Sequence, residues 1–301
     1  IPLAGPANRQ GRIAASNALG QKKRYTGSQG TSIVKLFGAT AGSTGLSLAQ
    51  AKAAGIDAES VVIHKDNHTS YYPGSRIVTV LVVYERETGK LLGGQTAGEE
   101  GADKRLDVLA TAITAGMTVS DLAEIDLAYA PPFGSANDPI NMAAFVAENR
   151  MSGFSPSVTA GELDAFIKAI DQPLVAVDLR DPFSYQRSNI RGSYNVALNQ
   201  LVWQASQLPK ETPILVVSDD GKKGHQALRQ LNQDGFTAVF NVAGGFTSIE
   251  RHARAVGFEY IQVPVPEAEK KSITDEGREA EGADVRGGAE EQGGMGGSEP
   301  L

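Results

Sequence analysis

Residues 127–139 read Leu127-Ala128-Tyr129-Ala130-Pro131-Pro132-Phe133-Gly134-Ser135-Ala136-Asn137-Asp138-Pro139. Two consecutive prolines do not sit inside a helix, because each removes a backbone donor and fixes φ. Ala130, ahead of them, is driven towards extended geometry by the ring that follows. The stretch therefore reads as a stiff, extended loop that holds Tyr129 and Phe133 in fixed positions. Asp138 and Pro139 close it as an N-cap and a first helical residue, with helix expected to Asn149. On pattern alone, a rigid linker between domains fits as well as a functional loop.

Towards the N-terminus the elements alternate between strand and helix. Asp103 to Ala115 places Leu106, Leu109, Ala110 and Ile113 at helical spacing and stops at Gly116. Val119 to Leu122 opens another short helix. Arg76 to Tyr84 is rich in β-branched residues, and Leu91 to Ala97 returns after a loop at 85–90, as a hairpin would. Val61 to His64 and Ser28 to Phe37 read as further strands. Ser43 to Ser47 reads as a helix start, with helix from Leu48 to Ala54 ending at Gly55. Gly5, Pro6 and Ala7 make a small-residue turn into a first helix, whose last turn is expected to be Lys22-Lys23-Arg24, favourable for the helix dipole. This order predicts an α+β unit with an antiparallel sheet.

After the loop, Met151-Ser152-Gly153 breaks the helical pattern, so a domain boundary is expected near 152–155. Beyond it the alternation is cleaner. Thr159 to Ala169 reads as a helix with a Thr159/Glu162 capping box. Strands are expected at Leu174–Asp178, Ile214–Val217 and Ala238–Val242. Helices are expected at Pro182–Gln186, within 196–209, at Lys222–Gln233 and, after a Gly244-Gly245-Phe246 turn, at Thr247–Ala255. Short apolar strands separated by helices imply an α/β domain with a parallel sheet.

Composition narrows the chemistry. A chain of 301 residues is long enough for roughly two domains. It has no cysteine, which excludes disulfides, thiolate metal sites and a cysteine nucleophile within it. The net charge of −7 argues against a nucleic-acid partner. No apolar run reaches membrane-spanning length, no secretory leader is evident, and a cytoplasmic location is expected. Residues 266–301 carry ten acidic and four basic residues, eight glycines and no aromatic residue, so a disordered acidic tail is expected. The opening Ile1-Pro2-Leu3-Ala4 suggests a piece of a longer polypeptide. His64 and His68 lack partners at ligand spacing, so no metal site is expected. Lys104 and Arg105 read as a solvated helix face.

The loop Val217-Ser218-Asp219-Asp220-Gly221-Lys222-Lys223-Gly224 lies between a buried strand and a helix. Such a loop aims successive amide donors at one spot and makes an anion cradle. It resembles the active-site loop of the rhodanese-like family, whose Cys-x-x-Gly-x-Arg forms a persulfide. Val177 to Asp181, Ile190 to Val196 and Asn241 to Gly245 match other segments of that family over about 155–262. Here Ser218 replaces the nucleophile and Lys223 the arginine, while Asp219 and Asp220 add negative charge. A serine hydroxyl cannot carry a sulfane sulfur, so the loop at Ser218, Asp219, Asp220, Gly221, Lys222 and Lys223 is read as degenerate and the module as inert or weakly anion-binding.

Pro6 to Arg12, Gly30 to Ser32, His68 to Gly74, Gly98 to Arg105 and Leu127 to Asn141 occur together and in order. They resemble the C-terminal part of FAD-dependent pyridine nucleotide-disulfide oxidoreductases, in the coenzyme A disulfide reductase and NADH oxidase branch. The resemblance implies the end of an FAD-binding domain at 1–27, a dimerisation domain at 28–152, a rhodanese-like domain at 153–265 and the tail at 266–301. It implies FAD, NAD(P)H and a coenzyme A moiety as cofactors and substrate, a small thiol or disulfide as reactant, and a homodimer. Leu3, Ala4, Gly5 and Ala7 would meet the flavin, and Pro132 and Phe133 would wall it. Tyr71 and Tyr129 would be the phenols near the partner subunit's redox sulfur; adjacent side chains on extended backbone face opposite ways, so only one of Tyr71 and Tyr72 can face the site, and Tyr71 is favoured. The alternative is a dimerisation and docking fragment without turnover.

Overall fold

The computed structural model describes residues 3–257 and the backbone of residues 261–262. The tail expected to be disordered, 266–301, lies outside the described residues. Helix α1 (Ala4–Ala18) stops at Leu19, and Gly20 takes a left-handed conformation. Lys22, Lys23 and Arg24 therefore lie beyond the helix rather than in its last turn, because the glycine ends it first.

Strands β1 (Ser32–Leu36) and β2 (Ala39–Gly45), helix α2 (Leu48–Ala53), and strands β3 (Ala58–Asp66), β4 (Ile77–Glu85) and β5 (Leu91–Gly98) follow. The five strands form one antiparallel sheet in the order β1-β2-β5-β4-β3. The expected helix start at 43–47 is corrected: Ser43, Thr44 and Gly45 belong to β2, and only Ser47 acts as a helix cap, accepting from Gln50 N. Residues 39–45 are poor strand formers, and pairing on both sides overrides that propensity. Small residues are required there and in the neighbouring strand. A Cβ on Gly42 would lie 2.5 Å from Leu106 Cδ2, and one on Gly93 only 2.0 Å from the Leu46 carbonyl oxygen.

Helices α3 (Ala102–Ala115), α4 (Val119–Glu124) and α5 (Pro139–Met151) pack against this sheet. Their core joins Val61, Val80, Val82 and Tyr84 to Leu109 and Ile140. Strand alternation turns Val62, His64, Thr79 and Leu81 to the opposite face. There α2 covers one end through Ala51, against Ala58 and Val83.

The second half contains β6 (Ser157–Val158), α6 (Leu163–Ala169), β7 (Val175–Asp178), α7 (Pro182–Arg187), β8 (Asn189–Ile190), β9 (Tyr194–Asn195), α8 (Leu201–Ala205), β10 (Ile214–Val217), α9 (Lys222–Gln233), β11 (Val239–Val242), α10 (Gly245–Val256) and β12 (Ile261–Gln262). Five strands make a parallel sheet ordered β6-β11-β10-β7-β9. Its central strand β10 is buried throughout, which accounts for its unbroken apolar run. The expected start of α6 at Thr159 is corrected to Leu163. Thr159 instead donates through both N–H and Oγ1 to the Glu162 carboxylate, and β6 occupies the residues just before it. Gly245 and Phe246 fall inside α10, with left-handed Gly244 as its N-cap. Strands β8 and β9 are too short to leave a periodic pattern. Residues 1–262 form one compact unit.

Candidate functional site: paired tyrosine loops and a closed amide cradle

The loop at 127–138 is a turn rather than the expected extended run. The Ala130 carbonyl accepts from Phe133 N (2.8 Å) and Gly134 N (3.1 Å), so the prolines sit within a chain reversal. Tyr129 is 51% exposed and Phe133 71%. The second loop, 67–76, is closed at its neck by Asn67 N to Arg76 O and Arg76 N to Asn67 Oδ1. Its tip is also a turn, with Tyr72 N donating to Thr69 O, so backbone alternation does not separate the two phenols. Tyr72 instead packs edge-on against His68, while Tyr71 stands 75% exposed. Thr69 joins the loops, donating through N and Oγ1 to Gly134 O, each at 3.0 Å.

Helix α1 begins at Leu3 with no side-chain cap, and Ala4, Gly5 and Ala7 are exposed. A Cβ on Gly5 would meet only the Arg9 guanidinium, at 3.9 Å. An uncapped first turn with open surroundings suits the polar edge of a planar ring. Pro132 is half-buried and Phe133 open, which suits an apolar wall. By these criteria the residues present fit a flavin.

The loop after β10 has closed on itself. Ser218 is wholly buried, and its Oγ accepts from Gly221 N and Gly224 N, both at 3.1 Å. Asp220 Oδ1 accepts from Lys222 N. The Asp219 carbonyl accepts from Thr247 N and Oγ1, and the Ser218 carbonyl from Phe246 N. A Cβ on Gly224 would lie 2.1 Å from Asn241 Oδ1. The amides of Gly221, Lys222 and Gly224 are thus spent on the loop's own oxygens. The Asp178-x-Arg180 segment is structural: Arg180 pairs with Asp178 at 2.7 Å, donates to Ser188 O and lies 3.5 Å above the Phe246 ring.

Between the halves lies a contact that sequence reading does not identify. His64 Nδ1 is 2.9 Å from Thr79 Oγ1 and 3.2 Å from Arg251 Nη1, and Nε2 is 2.8 Å from Ser248 Oγ. A guanidinium only donates, so Nδ1 is the acceptor and Nε2 carries the proton given to Ser248. Burial, and then the Arg251 charge, push the His64 imidazole down to about 4, with Asp220 opposing weakly. A second clasp joins α5 to the residues before α6. Arg150 pairs with Glu162 through two 3.0 Å hydrogen bonds and with Glu59 at 3.3 Å. Arg229 stacks 3.7 Å from the Phe154 ring between them. A histidine on a β-rich strand carries no pattern that marks it as an interdomain donor. Among the described residues no group of His, Asp or Glu could hold a metal ion, and no helix is long and apolar enough to cross a membrane.

Residues 31–138 match the dimerisation domain of pyridine nucleotide-disulphide oxidoreductases, and residues 159–252 match the rhodanese-like domain. The chain therefore carries a dimerisation domain of the pyridine nucleotide-disulphide oxidoreductase type followed by a rhodanese-like domain. It is similar to coenzyme A disulfide reductases and CoA-dependent NAD(P)H sulfur oxidoreductases. It is 40% identical over 146 residues to the CoA-dependent NAD(P)H sulfur oxidoreductase of Pyrococcus furiosus, covering 48% of this chain and 33% of that protein. It is 36% identical over 149 residues to the coenzyme A disulfide reductase of Staphylococcus epidermidis, covering 49% and 34%. The reduced Bacillus anthracis CoADR-RHD superposes with a TM-score of 0.78 at 37% identity, over 85% of this chain and 45% of that one. The chain spans about a third of the length of the curated relatives it matches.

Proposed function

We propose that this chain is the C-terminal part of a flavin-dependent NAD(P)H:disulfide oxidoreductase that reduces coenzyme A disulfide or a related persulfide or polysulfide. The observation that carries this reading is the order of the two domains, shared with the Bacillus anthracis protein across 85% of the chain. FAD, when bound, supplies the electron relay between NAD(P)H and sulfur. This chain supplies the homodimer interface and presents Tyr71 and Tyr129 to the partner subunit. A phenol suits a leaving thiolate because it donates a hydrogen bond without carrying a permanent charge. The first-turn amides at Leu3, Ala4, Gly5 and Ala7 meet the polar edge of the flavin, while Pro132 and Phe133 keep water from it.

The test expresses the chain together with its upstream coding region, then measures flavin absorbance and NAD(P)H oxidation by coenzyme A disulfide. Bound flavin with turnover is expected. Tyr71→Phe and Tyr129→Phe should each lower kcat on the order of 10-fold to 100-fold with flavin content unchanged. Absence of flavin from that product would overturn the reading. The self-closed Ser218 loop favours a second reading for the rhodanese-like half, that of a docking module without sulfur transfer.

A further inference from the structure

Arg105 stands where the necks of the two tyrosine loops cross. The sequence places it on a solvated helix face, yet it is 2% exposed and the largest wholly buried side chain among the described residues. Its Nε donates to Asp138 Oδ1 at 3.1 Å and its Nη2 to Asp138 Oδ2 at 2.6 Å. Nη2 also donates to the Asn67 carbonyl at 2.6 Å, and Nη1 to the Gly101 carbonyl at 3.2 Å. Asp138 ends the loop that carries Tyr129 and Phe133 and caps α5, accepting from Ile140 N. Asn67 opens the loop that carries Tyr71 and forms its neck with Arg76. One planar fork therefore holds the end of one loop and the start of the other.

The backbone is shaped around this group. Gly101, the N-cap of α3, has φ +76°, and a Cβ there would lie 2.5 Å from Arg105 Nη1. Lysine cannot substitute geometrically, because its ammonium is a single point of donation, whereas these acceptors lie around a fork. Lys104 adds only an outer contact, 3.4 Å from the Phe133 carbonyl and 4.0 Å from Asp138.

We propose that Arg105 is a positioning residue that locks the Tyr71 loop and the Tyr129 loop into one register, so that both phenols are presented together. The inference rests on the functional reading above, in which those phenols serve the partner's active site. It deepens that reading by assigning their mutual placement to a buried cation remote from the reacting atoms. Thr69 bonding to Gly134 is the second, weaker tie between the same loops.

Amide hydrogen exchange on the full chain tests this without flavin or turnover, so it fails or succeeds independently of the proposed activity. Arg105→Gln should raise exchange in 67–76 and in 127–138 together, by at least about tenfold, with 78–84 unchanged. Arg105→Lys should recover only part of the protection, and Thr69→Val should loosen the loops less than Arg105→Gln. If Arg105→Gln does not fold, Asp138→Asn keeps a capping oxygen while weakening the ion pair, and the same paired loosening is expected. A rise confined to one loop, no rise in either, or full recovery by lysine would overturn the proposal.

Discussion

Acidification is the sharpest probe of how the two halves are held together. His64 lies on the sheet face away from α3 and α5, 9% exposed, and takes part in the contact as a neutral ring. Protonating it would turn Nδ1 into a donor facing the Arg251 guanidinium, with Thr79 Oγ1 already accepting from that arginine at 2.7 Å. The facing groups are Arg251 and Ser248 on α10, Thr79 on β4 and, more distantly, Asp220. The unfolded chain takes up this proton near pH 6.5, whereas the folded chain resists it until about 4. Stability from this group is therefore complete above 6.5, falls as pH drops through the window, and levels off below about 4. At about 1.4 kcal/mol per pH unit the loss amounts to about 3 kcal/mol. His64→Gln keeps a donor for Ser248 and cannot titrate. It should cost about 1 kcal/mol at pH 7, for one poorer hydrogen bond. Urea unfolding of both proteins between pH 7 and 4.5 should give stability curves that cross, with the variant the more stable at the acid end. A histidine NMR titration should leave the His64 imidazole neutral below pH 5. Parallel stability curves, or an ordinary titration of His64, would refute the buried neutral tautomer and the interdomain contact built on it.

Restoring the rhodanese-type residues should not restore the chemistry. Ser218→Cys combined with Lys223→Arg is expected to release little thiocyanate from thiosulfate and cyanide, because position 218 is buried and Asp219 and Asp220 remain; strong release would show that local charge and closure have been over-weighted. Gly93→Ala should lower stability by about 3 kcal/mol or more, since its Cβ would meet the Leu46 carbonyl oxygen at 2.0 Å and backbone must move; an unchanged urea midpoint would contradict the packing.

The elements most legible in the sequence are those whose burial is periodic. Strands β3, β4 and β5, helix α3 and the buried strand β10 show themselves because one face or both lie against a core. Strand β2 does not, since its glycines and alanines are selected by contact with Leu106 and the neighbouring backbone rather than by strand propensity. The Pro131-Pro132 loop was legible as rigid but not as a turn, because proline fixes φ without saying which carbonyl the next amides will find. Arg105 shows the same limit from the other side. A helical arginine beside a lysine looks solvated, and only the return of Asp138 from 33 residues away makes it a buried partner.

The Ser218 loop ties the second domain together through its own hydrogen bonds. A working anion cradle must leave its amides unspent until the charge arrives, which makes it a local source of instability that ligand or transition state relieves. With serine at 218, the hydroxyl oxygen accepts from Gly221 N and Gly224 N. The same loop receives Phe246 N and the Thr247 hydroxyl from the start of α10, and the next residue of that helix, Ser248, meets His64. Closure of the cradle and docking on the antiparallel sheet are therefore mechanically continuous. Reopening the cradle to a ligand would loosen the first turn of α10 and, with it, the Ser248 contact to His64.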